Sequence, residues 1–180
     1  LPFLFVQLAS FGLRVDDPGA PSPWSLIREA QLRTLAVPNT GMAVAIDIGD
    51  STSLHPTNKR DVGRRLALQA LSKVYGRDVV ASGPLPRKWE FGDGGATIDF
   101  DHAEDGLMTS EGSQVQGFVM AGADRKWHWA IAKIDGARIT VRSDRVPEPV
   151  AVRYGWANNP RVNLQNTSGL PASPFRTDTW

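Results

Sequence analysis

The sequence predicts an α/β fold made of two unlike parts: a parallel βαβ unit followed by an all-β sandwich. Three observations carry this. Up to about residue 77, apolar runs of strand length alternate with stretches of helical period, the signature of parallel strands joined by crossover helices. From Asp78 onward the helical period vanishes, and short strand-like runs follow one another. Turn signals at Gly92-Asp93-Gly94-Gly95, Gly122-Ala123-Asp124 and Asp135-Gly136 separate those runs, as in antiparallel sandwiches or jelly rolls.

In chain order, Phe3 to Leu8 is the first predicted strand, and Ala9 to Pro21 form a Gly/Asp/Pro-rich loop off its carboxyl end. Ser22 is placed to N-cap a helix that has Pro23 at its first position and runs through Trp24, Leu26, Ile27, Ala30, Gln31 and Leu35. Val37 to Gly41 is a turn. Met42 to Ile46 is an unbroken apolar run, which suits a strand covered on both faces. The loop Asp47 to Thr57 then holds two carboxylates, Asp47 and Asp50, three hydroxyls on Ser51, Thr52 and Ser53, and His55. Asn58 is the expected N-cap of the next helix, with Val62, Leu66, Ala70, Leu71 and Val74 at helical spacing and Gly76 as its stop.

Two parallel strands leave two unpaired edges, and even a hairpin is marginal by itself. Residues 1 to 77 are therefore expected to be the carboxyl-terminal part of a larger sheet, completed by sequence missing here or by another chain. The opening Leu-Pro-Phe-Leu-Phe, with no initiator Met and no polar lead-in, fits a cut boundary.

The sandwich, residues 78 to 157, is expected to hold strands at Val79–Ala81, Arg87–Phe91, Thr97–Asp101, Val115–Ala121, Trp127–Ile134, Arg138–Arg142 and Val150–Trp156. Asp135-Gly136 is the strongest hairpin signal. The stretch 158–180 has no period but is too apolar, at Leu164, Leu170, Phe175 and Trp180, to be disordered. It is expected to be an irregular tail packed back on the protein.

Composition narrows the function classes. Twenty basic against nineteen acidic side chains give a net charge of +1, too balanced to imply a nucleic-acid or membrane partner. With no cysteine, disulfides and thiolate zinc sites are excluded, and no His/Asp/Glu group shows metal-ligand spacing, so no cofactor is expected.

In open α/β sheets ligands bind off the carboxyl ends of the strands, so the loop after Ile46 is where chemistry is expected. Asp47-Ile-Gly-Asp50, then Leu54-His55-Pro56, Asn58-Lys59, Val62-Gly63 and Arg65-Leu66-Ala67 resemble the carboxyl-terminal catalytic block of sialate O-acetylesterases, which are SGNH-type serine esterases. Arg28-Glu29-Ala30-Gln31, Pro38 to Met42, Val152-Arg153-Tyr154, Asn159-Pro160 and Gly169 to Asp178 are similar to that family too. The resemblance implies the carboxyl-terminal part of an SGNH-like α/β/α domain followed by a jelly-roll-like sandwich. It also implies removal of O-acetyl groups from an acetylated sugar substrate by a serine nucleophile, in a periplasmic or secreted setting.

His55 would be the base: an imidazole with an ordinary pKa near 6.5 can take the serine proton near neutrality. The orienting acid is expected to be Asp50, with Asp47 as runner-up. Three residues before the histidine, where SGNH enzymes generally carry the aspartate, stands Thr52, and two before it, where the sialate esterase pattern often has an acid, stands Ser53. Gly49-Asp50-Ser51 spells the Gly-Asp-Ser of SGNH nucleophiles, but Ser51 shares one loop with His55, whereas those folds draw the two groups from separate strand ends. The nucleophile and oxyanion hole are accordingly expected in the N-terminal part of the same enzyme, outside this sequence. Trp127 and Trp129 alternate with His128 and read as core aromatics; Arg153 and Arg176 read as structurally paired. Two competing readings are an acetyl xylan esterase and a non-catalytic carbohydrate-binding sandwich, the latter favoured if Trp127 and Trp129 were exposed and coplanar.

Overall fold

The computed structural model describes all 180 residues as two helices and twelve strands. Near the amino terminus, β1 (Phe3–Val6) and β2 (Thr40–Ala43) pair in parallel, with Phe3 opposite Thr40 and Val6 opposite Ala43. They are connected through α1 (Pro23–Arg33), and α2 (Lys59–Lys73) follows β2. Met42, Val44 and Ile46 pack with Phe5, Leu32 and Leu35 on the α1 side. On the opposite face Gly41 lies against Gln69 and Lys73 of α2. The layering is thus α/β/α.

Local chemistry sets the helix ends. Ser22 accepts the Ser25 amide at 3.2 Å ahead of Pro23, and Asn58 accepts the Asp61 amide at 3.1 Å while its Nδ2 donates to Asp61 Oδ2 at 2.8 Å. Helix α1 ends at Arg33 rather than running through Leu35, because the chain tightens into a 3₁₀ turn over Thr34–Ala36. Strand β2 also ends early, at Ala43. Ile46–Ile48 form a 3₁₀ turn, held by the Ser10 hydroxyl donating to the Ile46 carbonyl at 2.6 Å. Leu26 and Ile27 of α1, and Leu71, Val74 and Tyr75 around the end of α2, are exposed, and neither edge of the β1–β2 pair meets a further strand.

The remaining strands form a β-sandwich. One sheet has the order β3 (Leu85–Gly92), β4 (Gly95–Asp101), β9 (Arg138–Arg142), β8 (Ile131–Asp135). The other has the order β12 (Phe175–Arg176), β10 (Ala151–Tyr154), β6 (Phe118–Ala121), β7 (Trp127–Trp129). A short pair, β5 (Leu107–Thr109) with β11 (Leu164–Asn166), completes it. Ile98, Phe100, Ile139 and Val141 from the first sheet interlock with Phe118, Met120, Val152, Tyr154 and Phe175 from the second. The β3–β4 turn places Asp93 and Gly94 at φ 50° and 68°, the primed geometry that matches strand twist, and Gly136 at φ 58° opens the β8–β9 hairpin at the expected Asp-Gly.

Three strand expectations change. Val79–Ala81 is not a strand: no neighbour offers a ladder, and the Ala81 carbonyl is taken by Gln69 Nε2 at 2.7 Å. The single strand expected over Trp127–Ile134 breaks at Ala130, whose amide bonds the Phe118 carbonyl at 3.1 Å, and the chain then crosses from one sheet to the other. Within 158–180 lie β11 and β12. Strands of two or three residues carry no readable period, and side chains anchor them instead: Asn166 Nδ2 donates to the carbonyls of Ser82 and His102 at 3.0 and 2.9 Å.

One side chain fastens the two parts together. Arg28, completely buried, donates to the carbonyls of Leu8 and Ala9 after β1 and to those of Ala157 and Asn158 after β10, at 2.7 to 3.0 Å. Burial pushes its pKa down to about 10. Around it, Gln7 Nε2 reaches Ser173 Oγ at 2.9 Å, and Arg176 grips Glu29 through two 2.9 Å bonds.

Candidate active site

The loop after β2 is built from its ends inward. At its start, Asp47 is gripped by Arg65 of α2: Nη1 and Nη2 of the guanidinium each lie 2.6 Å from one carboxylate oxygen, and Nη1 also donates to the Val44 carbonyl at 2.7 Å. Two residues on, Gly49 passes so close to the backbone of Ser10 that a Cβ there would collide with the Ser10 carbonyl. The Asp50 amide then donates to that carbonyl at 3.1 Å, and Phe11 and Asp50 form a parallel bridge. The loops leaving the carboxyl ends of β1 and β2 are therefore zipped together, where strand-end chemistry is expected.

Asp50 turns its carboxylate onto its own loop. Oδ1 accepts from the Thr52 amide at 2.7 Å, the Thr52 hydroxyl at 2.8 Å and the Ser53 amide at 3.2 Å, an Asx turn. Those bonds, led by the Thr52 amide, hold its pKa below the usual carboxylate range. Oδ2 has no hydrogen bond within the chain. Ser53 Oγ accepts the His55 amide at 3.1 Å, fixing the backbone on which the histidine sits, and Pro56 beyond it is buried. The imidazole of His55 is exposed and makes no hydrogen bond within the chain, either to Asp50 or to Ser51. Asp50 and His55 thus share one braced loop without touching, and Asp47 is committed to Arg65.

Sequence reasoning assigned no role to Arg65, Ser10 or Gly49. Arg65 and Gln69, one turn apart, are the buried residues of α2, so its inner face is polar where the apolar period pointed to Val62, Leu66 and Ala70. A polar pair at i, i+4 inside an otherwise apolar pattern was the available signal.

The tryptophans sit differently from expectation. Trp127 and Trp129 pair with Ala121 and Val119, on the side of the sheet away from the Phe118–Met120 core. Trp127 is stacked by the Arg153 guanidinium 4.0 Å from its ring centre, and only Trp129 is exposed, at 52%. They are neither core aromatics nor an exposed coplanar pair. Arg153 and Arg176 are structurally paired, Arg153 bidentate to Asp178 at 2.8 Å and Arg176 to Glu29.

No protein-family model matches the chain. Among curated proteins it is 30% identical over 191 aligned residues to the sialate O-acetylesterase of Mus musculus and 28% identical to that of Homo sapiens, covering 97% of this chain in both cases. The chain is a homologue of the sialate O-acetylesterases. It spans about a third of those relatives, 35% and 36% of their length. Among solved structures, a carbohydrate acetylesterase from Xanthomonas citri superposes on all of this chain with a TM-score of 0.94 at 55% identity, and 42% of that protein is matched. Likeness to the sialate O-acetylesterase family and to a carbohydrate acetylesterase of known structure agrees with an SGNH-like α/β carboxyl-terminal part followed by a β-sandwich.

Proposed function

We propose that this chain belongs to a carbohydrate O-acetylesterase and supplies its histidine-bearing loop, the nucleophilic serine coming from a segment of the same enzyme outside these residues. The observation that carries the reading is His55 itself. It has an exposed imidazole with both ring nitrogens uncommitted, on a loop braced at three points at the carboxyl end of a parallel strand. A base that must take a proton from an incoming hydroxyl needs that combination of free nitrogen and fixed backbone. In the assembled enzyme His55 accepts the serine proton during attack on the acetyl carbonyl and returns it to the departing sugar oxygen. Asp50, whose Oδ2 is free while Oδ1 is locked, orients the imidazole.

The open edges of β1–β2 and the exposed Leu26, Ile27, Leu71 and Val74 support a larger sheet and helix layer around this part. The names of the relatives favour an O-acetylated sialic acid as substrate; an acetylated xylan or another acetylated glycan is the runner-up. The partners in this reading are the acetylated sugar and the segment carrying the serine, with no nucleic acid and no membrane. A non-catalytic sandwich is disfavoured by the burial of Trp127 under Arg153.

Hydrolysis of an aryl acetate by the chain alone and by the protein extended at its amino terminus tests this. Turnover should occur only in the extended protein, with a fluorophosphonate probe labelling a serine outside residues 1–180. Equal turnover by the chain alone would sink the reading.

A further inference from the structure

Four tryptophans cluster on the side of the β12–β10–β6–β7 sheet that faces away from the core, and three are already partnered. Trp127 carries the Arg153 guanidinium at 4.0 Å and Trp180 at 6.4 Å; Trp156 has the guanidinium groups of Arg153 and Arg176 at 5.3 and 5.1 Å. Trp129 has no aromatic or cationic partner, is 52% exposed, and lines a cavity of about 540 Å³. That volume lies within the range of small-molecule sites, about 300–1,000 Å³.

The cavity is walled on one side by the sandwich and on the other by residues 14–18 of the loop after β1. Its walls are fixed in advance. Asn159 Nδ2 donates to the Gly12 carbonyl at 2.7 Å, the Phe11 amide bonds the Asn158 carbonyl at 3.2 Å, and Ser143 Oγ holds the Trp129 carbonyl at 2.9 Å. The same loop meets the His55 loop at Ser10 and Phe11. A glycan held in the cavity would therefore lie against the element that is zipped to Asp50.

The lining chemistry defines the occupant. Arg14 and Arg161 make no ion pair or side-chain hydrogen bond within the chain, and the Asp16 carboxylate and the Gln116 side-chain amide are equally unengaged, although the Gln116 backbone amide donates to Asn163 Oδ1 at 2.9 Å. Asp17 Oδ1 accepts the Gly19 amide at 2.8 Å, leaving its second oxygen free. Two guanidinium groups against two carboxylates leave the cavity without net charge but crowded with planar polar groups. Such groups bond adjacent sugar hydroxyls in pairs, and the negative face of an indole attracts the positive C–H edge of a pyranose ring.

We propose that this cavity is a glycan subsite for a neutral pyranose of the chain, distinct from the residue that is deacetylated. The proposal rests on the reading of the protein as a carbohydrate esterase, but the binding of its probes is read without the esterase reaction, and turnover serves only as a control. Unacetylated cellotetraose and xylotetraose are titrated into the intact protein by calorimetry, with trigalacturonate and sialyllactose as acidic probes. At least one neutral probe should bind. Trp129→Ala and Arg161→Ala should each weaken it tenfold or more, Trp129→Phe should keep most of the affinity, and aryl acetate turnover should stay unchanged in all three. Any of four outcomes would overturn the proposal: no binding by either neutral probe, tighter binding of an acidic one, an unaltered Kd in Trp129→Ala, or a parallel loss of aryl acetate turnover. If the wild-type protein binds a neutral probe at this cavity yet hydrolyses no acetate, the subsite stands and the esterase reading fails.

Discussion

Arg65 and Asp47 join the middle of α2 to the first residue of the His55 loop through two 2.6 Å bonds, with the guanidinium almost wholly buried and the carboxylate partly open. The helix that follows the loop thereby holds the loop's beginning, so the eleven-residue span from Asp47 to Thr57 is pinned at both ends. Asp47 is thus a brace.

Replacing that brace should separate stability from chemistry. Arg65→Lys cannot reproduce the two-pronged geometry and leaves Asp47 with a single point charge. A loss of about 1–3 kcal/mol is expected, below the roughly 3–5 kcal/mol of a fully buried broken pair because Asp47 is one-third exposed. Urea denaturation measures it, and an unchanged midpoint would show that the pair contributes nothing net.

Gly49 should tolerate no side chain. In Gly49→Ala the new methyl meets the Ser10 carbonyl, so the two strand-end loops must part and the Asp50 amide loses its acceptor. Strain of this kind costs about 1–3 kcal/mol, and acetate turnover in the assembled enzyme should fall at least tenfold. A fully active, equally stable variant would mean that the close approach is not needed.

His55→Ala should remove nearly all turnover in the assembled enzyme, and Asp50→Asn should cut it tenfold or more with little change in stability, since the amide oxygen can still accept from Thr52 and Ser53. A silent Asp50→Asn together with an Asp47→Asn that lowers turnover while the fold stays intact would transfer the orienting role to Asp47. Ser51→Ala should leave turnover within a few-fold, because Ser51 is exposed and makes no bond to His55. Loss of a true nucleophile costs many orders of magnitude, so the two readings separate cleanly.

The Asp50 turn should also respond to acid. Its folded pKa lies below the ordinary value, so the stabilisation of the turn is complete above about pH 4 and is lost as pH falls through the lowered pKa. Carboxyl carbon shifts in NMR should place Asp50 below a typical exposed aspartate, and Thr52→Ala should move it upward. No movement would remove the Thr52 hydroxyl as a cause and leave the Thr52 and Ser53 amides, which the alanine variant retains.

What could be read from the sequence follows physical range. Both helix starts were legible because Ser22-Pro23 and Asn58 act within three residues of themselves, as were the Gly92–Gly95 and Asp135-Gly136 turns. The loop holding His55 was legible from its place after an apolar run. Long-range facts were not. The grip of Arg65 on Asp47 spans 18 residues and that of Arg28 on Asn158 spans 130, and neither leaves a periodic mark. Trp127 looked like core because aromatic alternation on a strand does not say which face a distant Arg153 will cover.

Arg28 has a practical corollary for anyone who would recombine such proteins. Its guanidinium rests on two carbonyls from each side of the seam. Grafting a foreign sandwich onto the α/β part would therefore have to preserve the backbone path at Ala157 and Asn158 to within tenths of an ångström, or strand a buried cation. The two parts look like interchangeable cassettes in outline, but a crossover point between them would have to fall elsewhere.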